Sequence, residues 1–236
     1  MAKTKKKDPK AQRPKAVVLL SGGLDSSTVL HYAKREHDVY ALSFNYGQRH
    51  AVEMECAKAQ AQLAGVVEHN WVDINFPWGG SALTDHSIEL EKDRKIEDME
   101  KDVPNSYVAG RNIIFLAFAS GYADKVGAKT IMIGANQYDF SGYPDCRWAF
   151  IEAMQTAVQL GTDSDVKIVA PLVNDTKKMI VEKAVKYGVD LSLTHSCYSP
   201  LDDKGTPCGR CDSCQLRAKG FAEAGEVDPR VPSGKE

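Results

Sequence analysis

The sequence lacks any run of about 18 apolar residues, so no membrane-spanning helix is expected. No apolar stretch follows the start before Val17, so a secretory signal is not expected and the chain is predicted to be cytoplasmic. The net charge is also small, because 30 Lys and Arg residues nearly balance 32 Asp and Glu residues. Residues 1–15 carry +6 and the remainder −8. An acidic body argues against broad electrostatic binding to nucleic acid.

The 236 residues and 43% hydrophobic content suit one large domain with a small appendage. We predict a basic tail at 1–15, a main domain at 16–192, a cysteine-rich module at 193–225 and a second tail at 226–236. Inside the main domain, residues 75–110 are irregular and densely charged. A loop of that length in a compact domain is usually a lid or a disordered segment.

Short β-branched segments alternate with segments of helical periodicity in residues 16–187. The predicted strands are 16–20, 39–44, 66–74, 130–134 and 167–169. The predicted helices are 24–35, 52–64, 113–126, 148–160 and 176–187. This alternation predicts an α/β fold with a doubly wound parallel sheet. From residue 195 onward the chain becomes rich in cysteine and the periodicity is lost, which indicates a small module appended to the sheet domain.

A glycine turn separates the first predicted strand from the first predicted helix. Such a turn lets backbone approach a ligand and presents the free N–H groups of a helix start to an anion. It lacks the Lys-Ser/Thr pair of the common P-loop and does not match GxGxxG. The alternative is an ordinary strand–helix turn with a Ser or Asp cap. The predicted phosphate-binding residues are Ser21, Gly22, Gly23, Leu24, Asp25, Ser26 and Ser27.

Four of the six cysteines are closely spaced near the C-terminus, at Cys197, Cys208, Cys211 and Cys214. Thiols two residues apart suit a tetrahedral Zn²⁺ site with four thiolates. An iron–sulfur cluster needs the same ligands and stays an alternative. His195 is a second, less favoured ligand candidate. With all four positions filled by protein, the metal is expected to be structural, one ion per chain.

The turn resembles the PP-loop of the N-type ATP pyrophosphatases, which have an adenine nucleotide alpha-hydrolase-like fold. Further segments narrow the resemblance: Tyr46-Gly-Gln-Arg-His50, Arg111-Asn112, Ser141-Gly-Tyr-Pro-Asp-Cys-Arg147 and the cysteine cluster. Together they resemble the 7-cyano-7-deazaguanine synthase family over residues 16–222. The resemblance implies a ligase that joins 7-carboxy-7-deazaguanine to ammonia at the expense of ATP. It forms the nitrile preQ0, a queuosine precursor, through adenylated carboxylate and amide intermediates.

The resemblance also implies roles for individual residues. Asp25 would support Mg²⁺ at the triphosphate of ATP, while Arg111 and Lys177 would neutralise phosphate or developing charge. For Lys177 the alternative is an exposed residue at a helix start, and for Cys146 a small buried core residue. The expected substrate-binding residues are Tyr46, Gln48, His50, Asn112, Asp139, Ser141, Gly142, Tyr143, Asp145 and Arg147. Of these, Tyr143 would stack on the heterocycle and Asp145 would accept its N–H groups.

The resemblance implies a homodimer. From composition and charge, no direct contact to nucleic acid or membrane is expected. Two other functions remain open from the residues alone. A PP-loop enzyme acting on a macromolecule would thiolate tRNA or attach a deazaguanine to a protein, and the basic tail favours RNA. A zinc-dependent nucleic-acid-binding module is suggested by the cysteines, but the acidic body and the absence of an aromatic–basic stripe argue against it.

Overall fold

The computed structural model describes residues 13–49, 52–99, 101–136 and 142–231. In these ranges a parallel sheet of five strands has the order β3-β2-β1-β4-β5. The strands are β1 Lys15–Leu19, β2 Asp38–Asn45, β3 Glu68–Asp73, β4 Thr130–Met132 and β5 Lys167–Val169. The predicted doubly wound sheet is confirmed, and the carboxyl ends of its strands lie on one edge, where α/β proteins bind ligands.

Helices cover both faces of the sheet because alternate strand residues point to opposite sides. Ala16 and Val18 of β1 pack in one core, and Val17 and Leu19 in the other. The first core includes residues of α1 (Leu24–Ala33), α2 (Val52–Ala64), α6 (Lys177–Tyr187) and α7 (Asp212–Ala224). The second includes residues of α4 (Arg111–Val126) and α5 (Trp148–Gly161). A short α3 (Ile96–Met99) and 3₁₀ turns at Pro144–Cys146 and Leu191–Leu193 complete the described elements.

Helix α7 is the main element that the sequence pattern failed to predict. Its buried side includes Cys214, Arg217, Gly220 and Phe221, so it shows little apolar periodicity. Gly220 has a packing reason, since a Cβ there would lie 2.8 Å from Cβ of Lys177. The absent side chain lets α7 approach the first turn of α6 closely. No helix was predicted at Asp212–Ala224, because the apolar periodicity of this segment is weak.

The segment 75–110 packs on the cysteine-rich module. Phe76, Leu83, Leu90 and Val108 form a hydrophobic cluster with three of the four cysteines. Two ion pairs join the same parts, one between Arg94 and Asp212 at 2.7 Å and one between Asp93 and Arg210. Arg49, just after β2, donates to the carbonyls of residues 82, 85 and 88 in this segment. These contacts give the long segment a fixed course over the module.

The residues that follow α7 are also attached to the body, which their composition did not indicate. Asp228 forms a buried ion pair with Arg217 at 2.7 Å. Arg230 donates to the carbonyl of Gly205 at 2.8 Å. The predicted domain boundaries stay predictions. The basic tail falls largely on residues 1–12, and the last part of the second tail on 232–236, which lie outside the described residues.

Among the described helices, none is both long enough and apolar enough to cross a bilayer.

Candidate functional site

The predicted phosphate loop forms one wall of a cleft of about 270 Å³ at the carboxyl edge of the sheet. Gly22 adopts φ +85°, and a Cβ there would lie 2.3 Å from the carbonyl oxygen of Glu53 and 2.6 Å from the amide nitrogen of Ala57. Only glycine fits between the loop and α2. The loop is thus folded tightly against the first turn of that helix.

Hydroxyl groups inside the loop stabilise its shape. Ser21 Oγ and Ser26 Oγ lie 2.9 Å apart, and the amide of Ser21 donates to Ser26 Oγ at 3.2 Å. The amide of Gly23 donates to Ser21 Oγ at 3.3 Å. Leu24 is buried in the core beneath the loop, and Ser27 is fully buried. The turn is therefore organised as a cradle with open backbone at the start of α1, which favours an anion.

Asp25 forms the best-defined polar contact of the cleft. Its Oδ2 accepts hydrogen bonds from Lys177 Nζ at 2.7 Å and from Asn136 Nδ2 at 3.1 Å. Its Oδ1 is buried and has no hydrogen-bond partner among the described residues. The hydrogen bonds to Oδ2 orient the carboxylate, and Oδ1 remains available to a ligand. Carboxylate oxygens are the ligands that Mg²⁺ prefers.

Lys177 begins α6, where Thr176 Oγ1 caps the helix by accepting from the amide of Met179 at 3.3 Å. The lysine is only 9% exposed, so the alternative of an exposed residue at a helix start is wrong. Close packing of α7 at Gly220 and the ion pair with Asp25 hold Lys177 in the cleft wall. The structure thus brings together two predicted residues that are 152 positions apart.

Arg111 and Tyr46 form a second group in the same cleft. Arg111 is the first residue of α4, and its Nη1 donates to the Tyr46 hydroxyl at 3.3 Å. The guanidinium lies 5.8 Å from the centre of the Tyr46 ring. Gln48 fixes this turn, since its Oε1 accepts from the amide of Tyr46 and its Nε2 donates to the carbonyl of Phe44. The cleft therefore offers a cation beside aromatic surface, which suits an aromatic acid.

The predicted substrate segment divides into lining and supporting residues. Gly142 and Tyr143 line the cleft, and the Tyr143 hydroxyl lies 2.9 Å from Ser106 Oγ. Asp145 is 5% exposed and is not among the described lining residues. Its Oδ2 accepts from the amide of Asn112 at 3.0 Å, at the start of α4. Asp145 thus supports the helix that carries Arg111 and is already engaged there.

The remaining predicted substrate-binding residues have less support from the structure. Asn112 lines the cleft, but its Nδ2 donates to the carbonyl of Asp145 and to Cys146 Sγ, both at 3.2 Å. Cys146 is buried, which agrees with the alternative that it is a small residue of the core. Arg147 is exposed and is not among the described residues of the cleft wall. The predictions for His50, Asp139 and Ser141 lie outside the described residues.

Sequence reasoning missed Glu53, which lines the cleft, and Asn136, which contacts the cleft residue Asp25. Asn136 holds Asp25 and follows β4, so its place after a strand end was a usable signal. Glu53 lies in the first turn of α2 and lines the cleft beside the loop. Burial raises the pKa of Glu53 to about 7, and the nearby Arg111 limits the rise. Nothing in the local sequence distinguishes Glu53 from its exposed neighbour Glu55.

The four predicted metal ligands converge: the sulfur atoms of Cys197, Cys208, Cys211 and Cys214 lie within 4.8 Å of one another. Two backbone amides donate to Cys197 Sγ, both at 3.3 Å, and two more donate to Cys208 Sγ, both at 3.4 Å. Such donors stabilise thiolates. Hydrogen bonds from the neighbouring thiols and these amides lower the pKa of Cys197. The cluster has the ligand count and spacing of a tetrahedral metal site.

His195 connects this cluster to the phosphate loop and is not a ligand in the group of four. Its amide donates to the carbonyl of Gly22 at 2.9 Å, and its Nε2 lies 2.8 Å from the carbonyl oxygen of Cys197. The side chain is 2% exposed. The alternative of His195 as a metal ligand is therefore wrong. His195 instead connects the cysteine cluster to the phosphate loop.

Comparisons with known proteins agree with this geometry. The profile of the family described as "Queuosine biosynthesis protein QueC" matches residues 15–225. A protein of Pelobacter propionicus named 7-cyano-7-deazaguanine synthase is 52% identical over 229 residues, covering 94% of this chain and 99% of that protein. One of the same name from Desulfatibacillum aliphaticivorans is 50% identical, with 92% and 96% covered.

Among solved structures, NMN synthetase from Francisella tularensis matches with a TM-score of 0.51 at 15% identity, covering 94% of this chain and 81% of that one. That likeness supports the fold alone. The family profile extends from β1 to the residue after α7, so it includes the phosphate loop, the Asp25–Lys177 pair and the four cysteines. The chain belongs to the QueC family of queuosine biosynthesis proteins.

Proposed function

We propose that this chain is an ATP-dependent carbon–nitrogen ligase that converts 7-carboxy-7-deazaguanine and ammonia to 7-cyano-7-deazaguanine. The supporting observation is the pairing of Asp25 with Lys177 beside the phosphate loop, in a chain about half identical to relatives named for that product. ATP and the deazaguanine would share the cleft, which is lined by both the loop and the Arg111 group.

The residues around the loop fit a nucleotide with its cation. The amides at the start of α1, together with Ser21 and Ser26, would bind the triphosphate. Asp25 would hold Mg²⁺ through the oxygen that lacks a partner among the described residues. When bound, Mg²⁺ would neutralise phosphate charge. Lys177 would then be shared between Asp25 and a phosphate oxygen, and its place in the cleft wall supports this.

The other side of the cleft fits a flat aromatic acid. Tyr46, Phe115 and Tyr143 line it. An aromatic ring beside a heterocycle favours offset or edge-on packing. Arg111 would face the 7-carboxylate, since a guanidinium matches a carboxylate with two parallel hydrogen bonds. The expected contacts of His50, Asp139, Ser141 and Arg147 with substrate stay predictions.

The chemistry follows from the weakness of a carboxylate as an electrophile. Transfer of AMP to a carboxylate oxygen removes its charge and creates a leaving group, so ammonia can attack the carbon. A second adenylation, on the amide oxygen, allows loss of AMP to give the nitrile. The protein's main contribution is to position the reactants, which is worth roughly 7–11 kcal/mol of barrier in well-oriented reactions.

The cysteine cluster fits Zn²⁺, because four thiolates at tetrahedral spacing leave no open position for catalysis. Bound Zn²⁺ would hold the module at 193–225 as a separate unit against the loop, through His195 and the packed segment 75–110. All six cysteines are free of disulfide bonds. Free thiols suit a reducing compartment, which supports a cytoplasmic protein.

We also infer a homodimer, paired through α4 and α5. Ile113 and Phe118 on α4 are each 47% exposed, and Trp148 on α5 is 45% exposed. The two helices contact each other, so these side chains lie on neighbouring elements. Such apolar exposure is typical of interfaces.

A light-scattering mass of twice 25.9 kDa is therefore expected. Phe118→Asp is expected to yield monomers because it places a charge in the apolar interface. Leu63→Asp, at an exposed leucine on α2, serves as the control and should stay dimeric. Monomeric wild-type protein would contradict the pairing.

The function itself is tested with purified protein, ATP, Mg²⁺, ammonium and 7-carboxy-7-deazaguanine, followed by mass spectrometry. The expected products are the nitrile, AMP and pyrophosphate, with the amide as an intermediate. The reaction is expected to need no macromolecule. AMP formation only when tRNA or an acceptor protein is added would contradict the proposal and favour a macromolecular substrate.

A further inference from the structure

Glu53 differs from the other carboxylates of the cleft. Three carboxylate residues are among the described lining residues: Asp25, Glu53 and Asp212. Asp25 pairs with Lys177, and Asp212 pairs with Arg94. The side chain of Glu53, which is only partly exposed, forms no hydrogen bond or ion pair with the other described residues. A carboxylate that lines a cleft without such a partner is available to a ligand or a proton there.

The position of Glu53 is fixed by the phosphate loop. Its carbonyl oxygen lies where a Cβ at Gly22 would collide, so the first turn of α2 is in direct contact with the loop. The titratable and charged groups around its carboxylate are Arg111 on α4, Tyr46 after β2 and Cys56 on α2 itself. Glu53 therefore lies between the loop that would hold ATP and the cation that would hold the substrate acid.

We propose that Glu53 is the catalytic base that removes protons from the reacting nitrogen. The proposal depends on the function proposed above. That reaction needs such a base, because ammonia adds with its protons and the final nitrile nitrogen carries none. The other two carboxylates among the described lining residues are each held in an ion pair, Asp25 with Lys177 and Asp212 with Arg94.

The proton transfers balance in both halves of the reaction. Ammonia attacks the carbonyl carbon of the acyl adenylate, and the cationic nitrogen gives one proton to a carboxylate oxygen of Glu53. The C–O bond to AMP then breaks and leaves the amide. After the amide oxygen is adenylated, its nitrogen carries two protons. Glu53 accepts the first as the neutral imidate forms and passes it to solvent. It then accepts the second as the C–O bond breaks, which releases AMP and nitrile.

The electrostatic environment suits this role. Desolvation raises the pKa of Glu53 to about 7, against the opposing charge of Arg111. A base is most effective near neutral pH when its pKa is close to the working pH, because it is then both ionised and basic enough. Between steps the proton passes to solvent, since the side chain is not fully enclosed.

The test compares Glu53→Gln with wild type in three measurements. ATP–pyrophosphate exchange with the carboxylic acid alone, without ammonia, reports adenylation and is expected to stay within about twofold. Formation of amide from acid, and of nitrile from supplied amide, is expected to fall by at least about 100-fold, as for loss of a general base. The matched control is Glu55→Gln on the same helix, whose side chain is 70% exposed and paired with Lys58 at 2.8 Å. It should match wild type.

The pH profile separates a base from a structural residue. With concentration expressed as free NH3, kcat/KM of wild type should fall about tenfold per pH unit below pH 7, because Glu53 becomes protonated. Glu53→Gln should lack that limb, and Glu53→Asp should retain it at a lower rate. Unchanged amide and nitrile formation in Glu53→Gln, or equal loss of exchange, would overturn the proposal. Wild type that forms no nitrile would instead refute the proposed function.

Discussion

Asp25→Asn is expected to lower ATP-dependent turnover by about 100- to 1000-fold, as removal of one preorganised electrostatic contact does in other enzymes. The amide keeps the shape of the carboxylate and an oxygen for Lys177 Nζ, which now lies 2.7 Å from Oδ2. What is lost is the charge that would hold Mg²⁺ at the phosphates. Steady-state assays that follow AMP release are the measurement.

The control for Asp25→Asn is Asp175→Asn. Asp175 is also a buried carboxylate and pairs with Lys183, but it is not among the described residues of the cleft. Its variant should retain activity within a few-fold once differences in melting temperature are taken into account. Full turnover by Asp25→Asn would show that this carboxylate is structural. Loss of folded protein in Asp25→Asn, but not in Asp175→Asn, would give the same conclusion.

Cys211→Ser is expected to remove the bound metal and to lower the melting temperature by on the order of 10 °C or more, because a structural Zn²⁺ site contributes its binding free energy to folding. Cys211 is fully buried among the other three thiols. Elemental analysis should find about one Zn per wild-type chain and little in the variant. Activity should fall too, since His195 connects the cluster to Gly22 of the loop.

Cys56→Ala provides the matched control for the metal site. Cys56 is a buried thiol on α2, outside the cluster of four. Its variant should bind as much zinc as wild type. Iron in the purified wild-type protein, with the absorbance of an iron–sulfur cluster, would contradict a zinc site. A Cys211→Ser protein with wild-type metal content and melting temperature would contradict the structural role.

The sheet could be predicted from the sequence because its strands are short, apolar and regularly interrupted. The predicted strand 39–44 lies within Asp38–Asn45, and 167–169 matches Lys167–Val169. The glycine turn at the carboxyl edge of the sheet was predictable for a similar reason, because it follows a buried strand and precedes a helix; its binding of phosphate stays a prediction. The cysteine cluster was evident from spacing alone, and the structure brings its sulfur atoms within 4.8 Å of one another.

The rest of the site depends on contacts between distant segments, which the sequence does not show. Asp145 resembled a substrate ligand, but it accepts a hydrogen bond from the start of α4. Glu53 and Glu55 are similar in sequence, yet one lines the cleft and the other is exposed. Helix α7 was missed because its buried side includes Arg217 and Gly220, so the periodicity of apolar residues was weak.

We propose that the loop at Ser21–Ser27 delivers the α-phosphorus of ATP to oxygen atoms of the substrate acid. This transfer is tested with 7-carboxy-7-deazaguanine that carries ¹⁸O in both carboxylate oxygens, and mass spectrometry follows the label in the nucleotide products. We expect both labelled oxygens to appear in AMP, one per molecule, while pyrophosphate stays unlabelled. Formation of ADP and labelled inorganic phosphate, or AMP without label, would contradict it.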